Sequence, residues 1–366
     1  MKKVFLSVTN DLVVDQRVHK VCNTLTNFGY DVTLIGILKK KSSKTLDRNY
    51  KIVRFPIVFK KSFLFYAEFN IKLFAYILFK KVDIIVANDL DTLLASYLAS
   101  IIRKKKLVFD AHEYFTELPE LEGRTFVKKI WLRIEQFILP KIKYSYTVCE
   151  SIANEYKKKY GIEMKVVMNI PLSQKESNSS LLLNDKIGTR KVIIYQGALN
   201  IGRGIELVIK SMKYIENYVF LIVGDGDIRA ELIELAIKEQ VSEKVIFTGR
   251  IPFNELPKYT KRADIGISLE ENLGLNYYYS LPNKLFDYIN AGIPIIASNL
   301  PEIKKIVLEN KIGVILEDRT PENLAKIIES IFNNPTTIEI WRNNIFYINK
   351  KYKWENQESV LLSLFA

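Results

Sequence analysis

A glycine-rich segment at residues 195–204 carries the most specific local signal for chemistry in the chain. It reads YQGALNIGRG, so that a short apolar run opens into a loop that contains Gly197, Gly202 and Gly204. Glycines let backbone N–H groups approach a ligand closely, and the guanidinium group of Arg203 is a forked donor that matches phosphate oxygens. The segment predicts a phosphate-binding loop, although a tight strand-to-helix turn with a surface arginine would have the same pattern.

Glycine and polar residues also follow the next three apolar runs of the same half. They occupy the loops at 224–227, which begins with Gly224, at 249–250, which ends with Arg250, and at 270–275. In a parallel α/β sheet, ligands bind beyond the carboxyl ends of the strands, where loops lead into helix N-termini. We therefore expect these loops to lie at one edge of a sheet together with the glycine-rich segment.

Lys284 and Asp287 lie three residues apart in the next segment, SLPNKLFDYINAGIPIIAS at 280–298. Pro282 is suited to the first turn of a helix, so both side chains would fall on one face of that helix. A cation for phosphate and a carboxylate for ribose hydroxyl groups would then point in the same direction.

The two histidines of the chain differ in position. His112 follows an apolar run and lies between Asp110 and Glu113, where a loop residue is often functional. His19 lies within a helical pattern, where a packing role is favoured. We therefore take His112 as the candidate for chemistry in this half.

Short apolar runs alternate with amphipathic stretches of helical length in both halves, which is the β-α-β pattern of parallel sheets covered by helices. The predicted strands are 4–9, 32–36, 52–55, 84–87, 107–110 and 145–148 in the first half, and 192–196, 218–223, 245–248, 265–268, 294–297 and 313–316 in the second. The polar and least periodic stretch, 173–190, predicts an interdomain linker. We therefore predict an α/β chain with domains at 1–172 and 191–349, and a C-terminal helix at about 350–366 that packs back on the first domain.

Composition supports a folded protein of two domains, since the chain has 366 residues of which 48% are hydrophobic and 26% charged. Two cysteines without a CxxC pair argue against a disulfide framework and a structural zinc site. The net charge of +13 lies in the first half, where residues 1–170 hold 30 Lys and Arg against 17 Asp and Glu, whereas residues 171–366 hold 24 of each. This excess attracts anionic partners. The sequence has no GxGxxG, Walker or HExxH motif, so no motif supports a dinucleotide oxidoreductase, a P-loop NTPase or a zincin.

Four stretches, NDLVVDQRVHK, DAHEY, YQGALNIGRGIE and LPNKLFDYINAGIPIIAS, resemble the retaining glycosyltransferases of family 4. The resemblance implies the GT-B fold, in which two Rossmann-like domains with parallel sheets face each other across a cleft. It also implies transfer of a sugar from a nucleotide diphosphate donor, with UDP or GDP as the nucleotide. In this family pattern, Arg203 grips the donor diphosphate, Asp287 holds the ribose hydroxyl groups, and His112 contacts the transferred sugar.

The chain departs from the family pattern at two places in the donor half. Ala198 stands where many members have an arginine, which leaves the diphosphate one cation short and makes Lys284 the candidate to supply it. Tyr279 stands where many members have the first of two spaced glutamates, so the contact to sugar hydroxyl groups is open between Glu270 and Glu271. The donor-binding residues that the resemblance implies are Gly197, Gly202, Gly204, Gly224, Arg250, Glu270, Glu271, Asn272, Leu273, Gly274, Leu275 and Asp287, with His112, Arg203 and Lys284 in catalysis.

Acceptor-side candidates lie in the first half and are Asn10, Asp15, Arg17 and Glu113. The alternative for two of them is structural, in which Asp15 caps a helix and Arg17 pairs with it. The resemblance implies a glycan or a polyprenyl-diphosphate-linked acceptor in the synthesis of a cell-surface polysaccharide such as capsule or lipopolysaccharide. The alternatives are a non-hydrolysing nucleotide-sugar epimerase and a non-catalytic partner subunit of the same fold.

We predict no metal, no cofactor and no nucleic-acid partner. The Asp-x-Asp spacings at 89–91 and 225–227 fall at strand-to-helix turns, where N-capping is the favoured role. No helix-turn-helix, RRM or zinc-finger pattern accompanies the basic charge.

Residues 55–79 are unusually apolar and aromatic, but lysines and a glutamate interrupt the run, so we predict that it does not span a membrane. A helix lying in a membrane interface and a helix packed on the sheet fit the pattern equally. Basic clusters at 39–41, 103–106 and 128–129 favour an anionic membrane surface as a partner. The predicted location is cytoplasmic, peripherally associated with the inner face of the cell membrane.

Overall fold

The chain folds into two compact units in a computed structural model that describes residues 1–10, 12, 15–38, 48–60, 62–172 and 187–366. The first unit comprises Met1–Asn169, Gly274–Asn276 and Glu355–Ala366, and the second comprises Ile170–Leu273 and Tyr277–Trp354. The predicted basic cluster at 39–41 lies outside the described residues, as do residues 173–186 of the predicted linker.

The first unit contains a seven-stranded sheet whose paired strands are all parallel. Its strands are β1 (Lys3–Ser7), β2 (Asp31–Leu38), β3 (Lys51–Pro56), β4 (Ile84–Asn88), β5 (Lys106–Ala111), β6 (Tyr144–Thr147) and β7 (Lys165–Val166), in the order β3-β2-β1-β4-β5-β6-β7. The connecting helices are α1 (Gln16–Asn27), α2 (Ser62–Phe79), α3 (Leu90–Arg103), α4 (Thr125–Ile138) and α5 (Glu150–Tyr160). The strand order reverses between β1 and β4, and such a reversal opens a ligand-binding crevice at the carboxyl ends of the strands.

The second unit repeats this architecture with six parallel strands. They are β8 (Lys191–Gln196), β9 (Tyr218–Val223), β10 (Val245–Gly249), β11 (Ile265–Ser268), β12 (Ile295–Ser298) and β13 (Gly313–Leu316), in the order β10-β9-β8-β11-β12-β13. The helices after β8 are α6 (Ile205–Ser211), α7 (Arg229–Lys238), α8 (Leu256–Arg262), α9 (Leu275–Tyr278), α10 (Asn283–Ala291), α11 (Pro301–Glu309), α12 (Pro321–Phe332) and α13 (Pro335–Asn349). The short helix α9 is divided, because Leu275 and Asn276 group with the first unit. Here the order reverses between β8 and β11.

Each sheet is covered by helices, so its central strands are buried and read as continuous apolar runs. This is why the predicted strands agree with the observed ones to within two residues, and why the predicted α/β class with two parallel sheets is confirmed. The two-residue strand β7 was not predicted because it is too short to form an apolar run.

A last helix, α14 (Glu355–Leu362), belongs to the first unit, where it packs against α1. The Thr24 hydroxyl donates a 2.7 Å hydrogen bond to Glu358, and the Tyr30 hydroxyl donates to the carbonyl of Phe365. The end of the chain is thereby tied to its first helix.

Candidate functional site

Two glycines at the carboxyl edge of the second sheet are required by the packing of the loops there. Gly204 ends the glycine-rich segment with a φ of +72°, and a Cβ at this position would collide with the carbonyl oxygen of Leu269. Gly224 has a φ of +146°, and a Cβ there would collide with the carbonyl oxygen of Gly197. The loops that follow β8, β9 and β11 therefore approach one another backbone to backbone, as the sequence predicts for a shared edge.

Arg203 lies in the first of these loops, at the point where the strand order reverses. Its guanidinium carbon is 4.9 Å from the centre of the Tyr277 ring, and the side chain is partly exposed. Among the described residues, no hydrogen bond engages this guanidinium group. Its donors are therefore available to an anion that enters the edge of the sheet.

Lys284 is held in a buried ion pair. It is 7% exposed, and its ammonium group lies 2.7 Å from Oε1 of Glu270, which is fully buried, and 4.0 Å from the centre of the Tyr195 ring. Burial alone would raise the pKa of Glu270, but Lys284 and a hydrogen bond from the Ser268 hydroxyl lower it below its ordinary value. Glu270 is thus ionised, and its charge offsets that of Lys284, so the cluster with Arg203 has a net charge of +1.

The sequence leaves open whether Glu270 or Glu271 contacts sugar hydroxyl groups, and the surroundings of the two side chains differ. Glu270 is saturated by its partners, whereas the Glu271 side chain is 43% exposed and lies 3.5 Å from Arg319. Arg319 also donates to the carbonyl oxygens of residues 269 and 270 and so fixes the backbone of this loop. Glu271 is therefore the carboxylate that a ligand could reach.

Asp287 is oriented by a buried chain of hydrogen bonds. The Gln196 amide nitrogen donates a 2.7 Å hydrogen bond to Oδ2 of Asp287, and the Gln196 oxygen accepts a 2.7 Å hydrogen bond from the Thr260 hydroxyl. Gln196 and Thr260 are each 2% exposed. A cavity of about 240 Å³ lies beside Asp287, with Phe253 and Asn290 in its lining.

The other predicted donor residues are placed as follows. Gly202 accepts a hydrogen bond from the backbone N–H of Glu271, Gly197 is exposed at the end of β8, and Arg250 and Asn272 are exposed. Leu273 is partly buried, and Gly274 and Leu275 group with the first unit.

Sequence reasoning missed Gln196, Thr260 and Arg319. Gln196 carried a usable signal, because a polar residue at the carboxyl end of a buried strand must find a partner. Thr260 and Arg319 lie on distant segments, and no local pattern marks them.

The first unit brings Arg17, Asp110 and His112 together at the carboxyl end of β5. Arg17 is 3% exposed, its Nη2 lies 2.7 Å from Asp110, and its Nη1 donates to the carbonyl of Val167. The alternative in which Arg17 pairs with Asp15 is wrong, because the buried Asp110 carboxylate takes the guanidinium group. Asp15 does cap α1, since its side chain accepts a hydrogen bond from the N–H of Val18.

His112 is fixed between two carboxylates. Its Nε2 lies 2.9 Å from Asp110 and its Nδ1 lies 3.5 Å from Asp89, which also accepts a 2.8 Å hydrogen bond from the backbone N–H of His112. Burial alone would lower the pKa of His112, but Asp110 and Asp89 raise it to about 9. The imidazole is therefore protonated at neutral pH, and the two carboxylates fix its position.

Asp89 does not cap α3, and the expectation of N-capping is wrong for this residue. Its side chain makes no capping hydrogen bond to the helix and binds His112 instead. Its φ of 59° is rare for a residue other than glycine, and strain of this kind gathers at functional sites. Burial raises its pKa to about 7.

The remaining acceptor-side candidates lie near the same edge. The Asn10 amide donates a 2.7 Å hydrogen bond to Asp15, and Glu113 accepts a hydrogen bond from Asn276, which groups with the first unit. Asp91 accepts a hydrogen bond from the Thr9 hydroxyl. Within the described ranges, no group of three or more His, Cys, Asp or Glu side chains is arranged to hold a metal ion.

Two family models match successive parts of the chain. The model described as Glycosyltransferase Family 4 matches residues 14–171, and the model described as Glycosyl transferases group 1 matches residues 183–346. The chain belongs to the group 1 glycosyltransferases of family 4.

Relatives of this glycosyltransferase include an uncharacterized glycosyltransferase, MJ1607, from Methanocaldococcus jannaschii, which is 27% identical over 45% of the chain. A chitobiosyldiphosphodolichol beta-mannosyltransferase from Candida albicans is 22% identical over 63% of it. The matches span 42% and 56% of the lengths of these two relatives.

Solved structures establish the fold of the glycosyltransferase as GT-B. Sucrose-phosphate synthase from Thermosynechococcus elongatus superposes with a TM-score of 0.82 at 16% identity and covers 100% of this chain and 98% of its own. HepE from Anabaena, in complex with UDP-glucose, has a TM-score of 0.77 at 12% identity, with 100% and 99% covered. WaaG, a glycosyltransferase involved in lipopolysaccharide biosynthesis, has a TM-score of 0.74 at 14% identity, with 98% and 99% covered.

Proposed function

We propose that this glycosyltransferase moves a hexose from a nucleoside diphosphate donor to a sugar or lipid-linked acceptor, with retention of the anomeric configuration. The donor nucleotide would bind the second unit, and the acceptor would bind the first. UDP is the favoured nucleotide because HepE binds UDP-glucose on the same fold, and GDP is the alternative.

The proposal rests on two groups at the carboxyl edge of the second sheet: a cation, Arg203, and an oriented carboxylate, Asp287. Arg203 makes no hydrogen bond with any described residue, and Gln196 aims the Asp287 carboxylate. A diphosphate needs the first group and a ribose needs the second, so their joint presence fits a nucleoside diphosphate.

The reaction asks for stabilisation of a leaving phosphate. The bond between the anomeric carbon and the β-phosphate oxygen breaks, and the acceptor hydroxyl oxygen forms a new bond to the same carbon. The hydroxyl proton goes to the leaving phosphate, which lies on the same face of the sugar in a retaining transfer. Preorganised donors are the effective catalysts of such charge development, and Arg203 with the backbone amides of the glycine loop would supply them.

Lys284 enters this scheme through its ion pair with Glu270. A diphosphate near the Gly197 loop would compete with Glu270 for the ammonium group, which lies within 4.0 Å of the Tyr195 ring. Lys284 thus remains the proposed second cation. Glu271 is the proposed contact for sugar hydroxyl groups, because its side chain is 43% exposed whereas Glu270 is fully buried.

His112 would contact the transferred sugar as a fixed imidazolium group. Asp110 and Asp89 contact both ring nitrogens and so fix the orientation of the ring in the structure. Arg17 in turn holds Asp110 through its buried guanidinium group.

The pathway we propose is the synthesis of a cell-surface polysaccharide with a polyprenyl-diphosphate-linked acceptor. The likeness to WaaG, whose role is in lipopolysaccharide biosynthesis, supports this choice. The match to a mannosyltransferase whose name specifies a dolichol-diphosphate-linked chitobiose also fits a lipid-linked acceptor.

Incubation with UDP-glucose, UDP-N-acetylglucosamine and GDP-mannose, each with and without a polyprenyl-diphosphate-linked sugar, tests the proposal. Transfer that requires the acceptor and persists in EDTA is the expected result. An epimerised donor in the absence of acceptor would identify an epimerase. No reaction of any donor, together with no binding of UDP or GDP, would contradict the proposal and favour a non-catalytic subunit.

A further inference from the structure

Helix α2 has two apolar faces, and only one of them is buried. Phe69, Leu73 and Ile77 are 0% exposed and pack into the core of the first unit against β1, β2 and β4. On the opposite side, Phe63 is 67% exposed and Ile71 is 69% exposed. A helix on the surface of a globular protein ordinarily turns polar residues outward, so this second face needs an explanation.

The outward face is a continuous stripe, which we call the α2 stripe. It consists of Phe63, Ala67, Ile71, Ala75 and Phe79, each four residues after the previous one and each exposed. Residues four apart lie above one another on a helix, so the five side chains form one row along its length. Phe79, at the end of the row, is 84% exposed.

The polar residues of α2 do not interrupt this stripe because their side chains bond within the unit. Glu68 accepts hydrogen bonds from the N–H groups of Val58 and Phe59 and pairs with Lys72. The Asn70 amide nitrogen donates to the carbonyl of Asp91, on α3. The charged and amide side chains of α2 are thus bonded within the unit, and an apolar surface remains outside.

The stripe suits a helix that lies flat on a surface better than one that crosses a bilayer. Among the described helices, α2 is long and apolar enough to cross a membrane by length and composition, with 18 residues and a mean hydropathy of 1.3. Crossing would however remove Phe69, Leu73 and Ile77 from the core. An interfacial helix can keep that packing while it buries its outer face among lipid headgroups and acyl chains.

Unpaired cations stand at both ends of the stripe. Lys60 precedes α2, and Lys80 and Lys81 follow it; all three are exposed, and none has an ion pair with a described residue. Arg103, at the end of α3, donates to the carbonyls at 77, 78 and 80 and so joins the end of α3 to the end of α2. Positive charge therefore flanks the apolar row.

The end of α3 adds more apolar and basic surface. Ile101 and Ile102 are 54% and 61% exposed. Beside them is a groove of about 340 Å³ with five lysines in its lining, which are Lys104, Lys105, Lys106, Lys141 and Lys143. Lys105 pairs with Asp83, and Lys106 donates to the carbonyl of Ala366. The remaining lysines of the groove have no ion pair among the described residues.

We propose that the α2 stripe docks the first unit on an anionic lipid surface, the inner face of the cell membrane. The apolar row would enter the interface, and the flanking lysines would meet lipid phosphates. A second copy of the chain is a poorer occupant, because a twofold arrangement of this stripe would bring Lys60 of one copy near Lys80 and Lys81 of the other, or like ends together. This inference goes beyond the proposed function, since it concerns where the enzyme works.

Co-sedimentation of the full chain with vesicles tests the proposal. The vesicles are phosphatidylcholine alone or phosphatidylcholine with one third phosphatidylglycerol. We expect binding to the anionic vesicles that exceeds binding to the neutral ones and weakens as salt rises. Each lysine near the surface should contribute about five-fold to the partition coefficient, so Lys80→Gln with Lys81→Gln should lower it by roughly 25-fold.

A triple variant, Phe63→Ser, Ile71→Asn and Phe79→Ser, isolates the stripe. These side chains are exposed, so the variant should keep the thermal unfolding temperature and the transfer to a soluble acceptor while losing vesicle binding at least ten-fold. The matched control, Ile237→Asn, Phe346→Ser and Tyr347→Ser, removes three exposed apolar side chains of the second unit and should bind vesicles like the wild type.

Two outcomes would overturn the proposal. One is vesicle binding by the triple variant that equals binding by the wild type. The other is no binding of the wild type to either vesicle, including the case in which the stripe is found to mediate a dimer that the triple variant dissociates. Because the soluble acceptor reports transfer separately, failure of docking would leave the proposed function standing.

Discussion

Lys284 and Glu270 form a buried pair whose two members cannot be removed independently. Lys284 is 7% exposed and Glu270 is 0% exposed. Loss of one partner of such a pair leaves an uncompensated buried charge, which costs about 3–5 kcal/mol. We expect Lys284→Met to lower the free energy of unfolding by about that amount in urea denaturation, and the double variant with Glu270→Gln to recover most of it.

The double variant then measures what Lys284 does in catalysis, because its fold is no longer compromised. A turnover near that of the wild type would contradict the assignment of Lys284 as a diphosphate cation. Equal stability of the wild type and the single variant would contradict the buried pair itself.

Arg203 is the residue whose loss should affect chemistry without affecting stability. Its guanidinium group has a ring contact to Tyr277 and no hydrogen bond with a described residue. Removal of a donor aimed at a developing anion costs about 10²–10³ in rate. We expect Arg203→Ala to lower turnover by this factor in a donor-consumption assay, with an unchanged melting temperature. Arg229→Ala, at a 42% exposed arginine of the same unit, is the control and should retain activity.

His112 should titrate well above the ordinary range of histidine. Its pKa of about 9 exceeds the ordinary value of 6.5, because Asp110 and Asp89 outweigh the effect of burial. The pKa of Asp110 is lowered to about 2, so this carboxylate stays ionised throughout. Through its pair with Asp110, the protonated ring therefore stabilises the fold fully below about pH 6.5, and this contribution is lost as the pH rises through about 9. The chemical shifts of the His112 ring in NMR spectra should titrate with a midpoint near pH 9. A midpoint at or below 6.5 would contradict a pKa raised by the two carboxylates.

At the scale of elements, the strands could be predicted because buried parallel strands are continuous apolar runs, whereas side-chain partners could not. Asp15 and Arg17 are neighbours in sequence, yet the sheet places the buried carboxylate of Asp110 at the end of β5, where it takes the arginine. In the same way, the sequence marks Lys284 as a candidate cation. Only the packing of α10 against β11 shows that its partner is Glu270. The partners in these ion pairs depend on which carboxylates are buried nearby, and the sequence alone does not show this.

Three elements cooperate to aim Asp287, which lies on α10. Gln196 from β8 holds the carboxylate, and Thr260 from α8 holds Gln196. If Asp287 binds ribose hydroxyl groups, Asp287→Ala should cost about 1–3 kcal/mol in UDP affinity. Gln196→Leu should cost a part of this UDP affinity, because it removes the hydrogen bond that orients Asp287 and leaves the carboxylate in place.

The ratio of affinities for UDP and 2′,3′-dideoxy-UDP separates aiming from a general structural role. We expect calorimetric titration to show a smaller ratio in Gln196→Leu than in the wild type. Thr260→Val should reduce the ratio in the same direction. A ratio unchanged in both variants, with weaker binding of both nucleotides, would show that the chain of hydrogen bonds supports only the fold.

At the scale of the molecule, charge and candidate functions divide along the same line. Residues 1–170 hold the excess of positive charge and the α2 stripe, whereas residues 171–366 hold equal numbers of acidic and basic residues and the proposed nucleotide site. A half of the chain without net charge can still bind a diphosphate, because the local cluster of Arg203, Lys284 and Glu270 has a net charge of +1. The net charge of the first half therefore supports the proposed anionic surface as a partner, and the local charge supports the proposed diphosphate ligand.

This division predicts where free UDP protects the backbone from hydrogen exchange. The loops that should bind it all follow strands of the second unit, whose core is its own. We expect slower exchange in peptides that cover 196–204, 270–273 and 283–288 at saturating UDP, and no change in peptides from α1 to α5. Arg203→Ala should abolish the protection at the same UDP concentration. Protection confined to the first unit, or protection that Arg203→Ala leaves intact, would show that the nucleotide binds elsewhere, because a ligand slows exchange where it stabilises the closed backbone.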